Sequence, residues 1–102
     1  MAISCVENGQ ALTVCIEGEI DHHAARELME QLTHHIDTAR PRSLALDLSA
    51  VSFMDSSGIA VVLRAWKHMG RLGGSMTLEN VPTQAGKVLK AAGVDKIVPF
   101  TA

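Results

Sequence analysis

The sequence predicts a mixed α/β fold: a small sheet that opens as an N-terminal hairpin, continues in parallel strands and is flanked by helices. Three observations carry this reading. Asn8-Gly9 lies between two runs rich in alternating apolar and polar residues, the strongest short-range hairpin signal. Beyond it, short strand-like segments alternate with stretches of helical periodicity, giving the order β-β-α-β-α-β-α-β and therefore helical crossovers between parallel strands. With 102 residues, 47% hydrophobic and 20% charged, the chain can bury a core without help from disulfides or metal.

Ile3 to Glu7 and Ala11 to Glu17 are the hairpin strands; Leu12, Val14 and Ile16 alternate with Thr13, Cys15 and Glu17, so one face is buried and Gly18 ends the strand. Asp21 is placed to cap a helix in which Ala25, Leu28, Met29, Leu32, Ile36 and Ala39 recur at helical spacing, and Pro41 stops it. Ser43 to Leu48 is the next strand segment, continued by Val51 to Met54 toward a turn. A second helix follows from Ser56 or Ser57, with Ile59, Val62, Leu63, Trp66 and Met69 as its buried stripe, and Gly70, Gly73 and Gly74 end it. Ser75 to Glu79 is a strand, and Pro82 opens a helix over Thr83 to Ala92. Lys96 to Phe100 is a last short strand, pushed to a sheet edge because Pro99 has no N–H to give to a ladder.

Charge and composition exclude several functions. Nine Lys and Arg against eleven Asp and Glu leave a formal charge of −2, with no basic stripe for nucleic acid. Phe53, Trp66 and Phe100 are the only aromatics, too few to stack bases. The longest apolar run, Ile59 to Leu63, is far short of the roughly 20 residues that cross a bilayer. Met1-Ala2-Ile3-Ser4 lacks the basic and apolar regions of a signal peptide, so a soluble, cytoplasmic protein is expected, with Cys5 and Cys15 as buried thiols that do not pair.

The most informative stretch is Phe53-Met54-Asp55-Ser56-Ser57-Gly58, where a strand runs straight into a helix. A serine hydroxyl there faces the free N–H groups and the positive end of the helix dipole, a place that receives an anion, including a phosphate carried by the serine itself. Spacing alone leaves this open against a serine that merely caps the helix. Glu17-Gly18-Glu19-Ile20-Asp21-His22-His23 also joins a strand end to a helix start. In a parallel arrangement both loops emerge at the same sheet edge, which would gather Glu19, Asp21, Asp55 and Ser56 on one acidic rim.

Enzymatic readings fit less well. Adjacent histidines on a helix point about 100° apart, and His23 and His34 stand about 16 Å apart along the axis, so these two cannot share one metal ion. A small serine hydrolase using Ser56 with His22 or His23 is the alternative, but a nucleophile elbow wants Gly at position 54, where Met54 stands, and no second glycine-rich loop offers an oxyanion hole. Gly70, Gly73 and Gly74 are not followed by the Lys-Ser/Thr of a phosphate loop, and Arg64, Lys67, His68 and Arg71 form a basic outer stripe on the second helix.

Gly18-Glu19-Ile20-Asp21-His22-His23, Leu46-Asp47-Leu48 and Phe53-Met54-Asp55-Ser56-Ser57-Gly58, in this order, resemble the STAS domain of anti-sigma factor antagonists, most of all its sporulation type. The resemblance spans essentially the whole chain and implies a single domain over 1–102, from which the further helix that family members commonly carry after the last strand is expected to be missing. It implies phosphorylation at Ser56, with Glu19, Asp21, His22, Asp55, Ser56, Ser57 and Gly58 meeting the partner. The implied partners are an anti-sigma factor that is also a serine kinase and a serine phosphatase. Neither nucleic acid nor membrane is among them, no cofactor or metal is called for, and the chain is a binding module with no catalytic residue of its own.

Overall fold

The computed structural model describes residues 1–101. β1 (Ala2–Asn8) and β2 (Ala11–Ile20) form the antiparallel hairpin, followed by α1 (His22–Ala39), β3 (Ser43–Met54), α2 (Ser57–Arg71), β4 (Ser75–Glu79), α3 (Thr83–Ala91), a 3₁₀ turn over Val94–Lys96 and β5 (Phe100–Thr101). The strands make one sheet in the order β1-β2-β3-β4-β5, antiparallel in the first pair and parallel in the rest. Right-handed crossovers between consecutive neighbours stack the helices on one sheet face. Leu12, Val14 and Ile16 of β2, Leu44, Leu46 and Leu48 of β3, and Met76 and Leu78 of β4 point into that layer. They share a single buried cluster with Leu28, Leu32 and Ile36 of α1, Val61, Val62 and Met69 of α2, and Leu89 of α3. The opposite face carries Thr13, Cys15, Ala45, Asp47, Thr77 and Glu79, all half-buried.

The cap and the stop of α1 are as the sequence predicts. Asp21 has extended backbone and its Oδ1 accepts the Ala24 N–H at 2.9 Å. Arg40 turns left-handed at φ 45° as its N–H donates to the Ile36 carbonyl, and Pro41 prevents continuation.

Four expectations need correction. Gly18 does not end β2: pairing with β3 continues to Ile20 opposite Met54, with register shifts on either side of Glu17 and Gly18. Gly18 sits at φ 103°, and a Cβ there would stand 3.2 Å from the Met1 backbone, so the glycine serves an irregularity inside the strand. β3 is correspondingly one strand of 12 residues, its inward alternation slipping at the exposed Ser49 and Ala50 and resuming at Val51 and Met54. On α2 the buried stripe is Gly58, Val61, Val62, Ala65 and Met69. Ile59 and Leu63 are only partly buried, and Trp66, about 100° round from Ala65, is 38% exposed. Small residues let α2 lie close to the sheet, so the large side chains end up on its flanks. Finally, Lys96 to Phe100 is not a strand. Gly93 at φ 77° leads into the 3₁₀ turn, Val98 plugs the core, and only Phe100 and Thr101 pair with Leu78 and Glu79 at the edge.

The cysteines are free but half-buried. Cys5 lies opposite Val14 and Cys15 opposite Ser4, so the two thiols project from opposite faces of the hairpin, and joining them would need a one-residue slip. Burial holds the Cys5 thiol above its ordinary pKa, with Cys15 and Glu7 adding to the rise.

Candidate functional site at the start of the second helix

The parallel strands β2 and β3 end side by side, Ile20 opposite Met54, and α1 and α2 start directly from those ends. Asp55 joins the two. Its backbone N–H donates to the Ile20 carbonyl at 3.1 Å. Its side chain then serves both helices: Oδ1 accepts the Ser57 N–H at 2.8 Å, and Oδ2 accepts the His22 N–H at 3.1 Å. The Ser57 N–H is the chief reason the Asp55 carboxyl lies below the usual carboxylate range, with the Ser57 side chain and then the His22 N–H adding to the effect.

Because Asp55 satisfies that N–H in a two-residue side-chain turn, Ser56 is relieved of the capping role. Ser56 already has helical backbone, φ −61° and ψ −18°, and its side chain makes no cap hydrogen bond. It is exposed at the positive end of a helix of 15 residues, with its hydroxyl pointing outside the hydrogen-bond framework of the turn. Of the two readings left open by spacing, the bare cap is the one the geometry does not support.

Gly58 has a steric reason to be glycine. A Cβ there would stand 2.4 Å from Met54 Cγ and 2.6 Å from its Sδ, and Met54 is fully buried. The close approach fixes the first turn of α2 against the end of β3. A residue that sequence reasoning missed holds the same point from the other side. Gln84 of α3 clamps the Met54 backbone both ways: Oε1 accepts its N–H at 2.8 Å, and Nε2 donates to its carbonyl at 2.7 Å. No motif marks Gln84; the only hint is an amide-bearing residue in the first turn of a helix, which is common.

Asp55, His22 and Ser57 are thus brought into direct contact. Glu19 and Asp21 are adjacent but separate: with Met1, His23 and Glu27 they line a shallow acidic hollow, and Asp21 is committed to capping α1. His22 and Ser57 instead line a hollow between the two helices, with Ala25, Met29, Ala60 and Arg64. The rings of His22 and His23 sit edge to face at 5.9 Å, and among the described residues no histidine hydrogen-bonds to Ser56. No helix described here is long and apolar enough to cross a membrane.

Comparison with known proteins gives a consistent answer. The chain is 33% identical to an anti-sigma F factor antagonist of Paenibacillus polymyxa over 87% of this chain and 76% of that one. It is 31% identical to the anti-sigma-B factor antagonist of Bacillus subtilis, over 94% of this chain and 86% of that one. Its fold superposes with a TM-score of 0.82 on the anti-sigma factor antagonist SpoIIAA in its unphosphorylated form, at 22% identity, covering 99% of this chain and 89% of the other. A family model for the STAS domain matches residues 2–102, and the chain is a member of the STAS family.

Proposed function

We propose that this chain is a phospho-switchable binding module, an anti-sigma factor antagonist acting in the cytoplasm. Unmodified, it binds an anti-sigma factor and so releases a sigma factor. That anti-sigma factor is also a serine kinase, which phosphorylates Ser56 with ATP and so ends the interaction; a serine phosphatase restores the hydroxyl. One observation carries the reading: Ser56 is an exposed serine at a helix N-terminus whose capping role has been taken over by its neighbour Asp55. The names of two relatives, antagonists of anti-sigma F and anti-sigma-B factors, support the partner class, and a solved relative described as unphosphorylated supports the switch.

Glu19, Asp21, His22, Asp55, Ser56, Ser57 and the buried Gly58 serve partner binding in two roles. Asp55, Gly58 and the His22 backbone hold the turn, whereas Glu19, Asp21, Ser56 and Ser57 supply the surface. Phosphoserine brings about −1.5 to −2 charges to this rim. At about 6 Å and an effective dielectric near 20, one unit charge pair is worth roughly 3 kcal/mol before salt screening. Even a third of that repulsion against a partner's carboxylate lowers affinity several-fold. A serine hydrolase has less support, since the general base its nucleophile needs does not hydrogen-bond to Ser56.

The test is phosphorylation by a candidate anti-sigma factor with ATP and Mg²⁺, mapped by mass spectrometry. A single phosphate on Ser56 is expected, and Ser56→Ala should keep the anti-sigma factor bound whether or not ATP is present. Label on Ser57 alone overturns the assignment. Rapid covalent labelling of Ser56 by a fluorophosphonate would favour the hydrolase instead.

A further inference from the structure

α1 and α2 lie side by side, and two hollows open along the seam between them. At the Ser56 end, His22, Ala25, Ser57 and Ala60 line a hollow of about 470 Å³. Toward the other end, Asp37, Lys67, His68 and Arg71 line a larger one of about 830 Å³. Met29, Glu30 and Arg64 line both, so the two hollows adjoin as one groove crossed in the middle by the Arg64 side chain.

The charges of this groove are unequally used. Its carboxylates are engaged: Asp37 Oδ1 lies 2.7 Å from His68 Nε2, and Glu30 pairs with Arg26 at 3.6 Å. Its cations on α2 are not. Arg64, Lys67 and Arg71 follow one flank of α2 at helical spacing, and none has a carboxylate partner among the described residues. Arg64 Nη1 reaches across to Met29 Sδ at 3.0 Å, a weak acceptor for a guanidinium that prefers a carboxylate. The position of Arg71 also suits the C-terminal end of the helix dipole, but Arg64 and Lys67 lie before the last turn of α2 and gain little there.

We propose that the α1–α2 groove is a docking site for an acidic segment of a protein partner. This rests on the reading of the chain as a binding module and extends its contact surface away from Ser56. Ser57 to Arg71 spans about 21 Å of helix, enough for about seven residues of extended chain. The three free cations share their hollow with the apolar Met29, and Arg64 also lies beside Ala60, so the groove suits a segment that mixes carboxylates with apolar side chains. A nucleic acid fits less well, because three cations are a small footprint for a continuous phosphate backbone and the chain as a whole carries −2. Phosphorylation of Ser56 acts on the rim and leaves the cations of the groove in place.

The test needs neither kinase nor phosphate. The isotope-labelled chain is titrated with a short peptide of Glu and Leu, the same peptide with Lys for Glu, and a DNA duplex, following backbone amide shifts. Saturable shifts centred on Arg64, Lys67 and Arg71 are expected with the Glu peptide and not with the Lys peptide. They should weaken with salt and weaken several-fold in Lys67→Glu/Arg71→Glu. Arg64→Gln, which removes charge without reversing it, should show a smaller loss, and thermal melts confirm that both variants are folded. No saturable response, an equal response to the Lys peptide, or tighter binding of DNA overturns the proposal. Failure here leaves the Ser56 switch standing, whereas an unphosphorylated Ser56 with intact peptide binding overturns the switch alone.

Discussion

Two helices start from adjacent strand ends, and they start differently. At α1 the residue in the cap position, Asp21, does the capping: its backbone is extended and its carboxylate accepts the Ala24 N–H. At α2 the residue in the same position, Ser56, is already helical and caps nothing, and the acceptor comes from Asp55, one residue earlier. The first arrangement uses the cap residue for stability. The second moves that duty back along the chain and leaves a hydroxyl exposed where an anion is welcome. Asp55 also ties the first turn of α1 to the site, so the turn that carries Ser56 is held without using Ser56.

The comparison can be broken or sharpened by substitution. The largest loss of stability is expected at Gly58→Ala, because the added methyl collides with buried Met54; overpacking of this kind costs about 1–3 kcal/mol. For a domain of this size that lowers the thermal midpoint by roughly 4–8 °C per kcal/mol, and a midpoint unchanged from wild type would mean that Met54 yields freely. Asp21→Ala comes next, at about 1 kcal/mol for a lost N-cap. Ser56→Ala is expected to fall within about 0.5 kcal/mol of wild type, as for a surface residue outside any cap. If denaturant titration gave Ser56→Ala the same loss as Asp21→Ala, the serine would be a cap after all.

Acid probes the start of α2 directly. The folded-state pKa of Asp55 is depressed, so its contribution is complete above the unfolded value of about 3.9 and is lost as pH falls through the folded value. Asp47, held down chiefly by the Ser49 N–H, behaves alike. Asp55→Asn should therefore melt below wild type at neutral pH, and the gap should close as the pH drops below about 4. Parallel curves through that range would show that the Asp55 contacts contribute no charge-dependent stability.

Much of this architecture is legible from the chain alone because it depends on neighbours in sequence. The hairpin forms where Asn8-Gly9 signals it, although Asn8 pairs with Ala11 and the turn itself is Gly9-Gln10; Asp21 caps α1, Pro41 ends it, and the strand-to-helix passage at Asp55-Ser56 falls where the motif puts it. What was not legible depends on contacts far along the chain. Gly18 reads as a strand breaker, yet pairing with β3 carries β2 past it. Trp66 reads as core by its spacing, yet the small residues of α2 occupy the sheet side. The Gln84 clamp joins residues 30 positions apart, and no local pattern announces it. The division of labour between Asp55 and Ser56 lies between these cases: both residues are visible in the motif, but which one caps depends on the Ser56 backbone torsions.

The central claim is that the Ser56 hydroxyl stands outside the framework of the turn, so that a phosphate there changes charge and not fold. The most direct measurement compares the affinity of the singly phosphorylated and unmodified protein for the anti-sigma factor at low and high salt, with thermal midpoints recorded for both forms. The account predicts midpoints within a few degrees of each other, weaker binding by the phosphorylated form, and a gap that narrows as salt screens exposed charge over about 10 Å at 0.1 M. Equal affinities, or a gap that persists undiminished in high salt together with a large shift in midpoint, would contradict it.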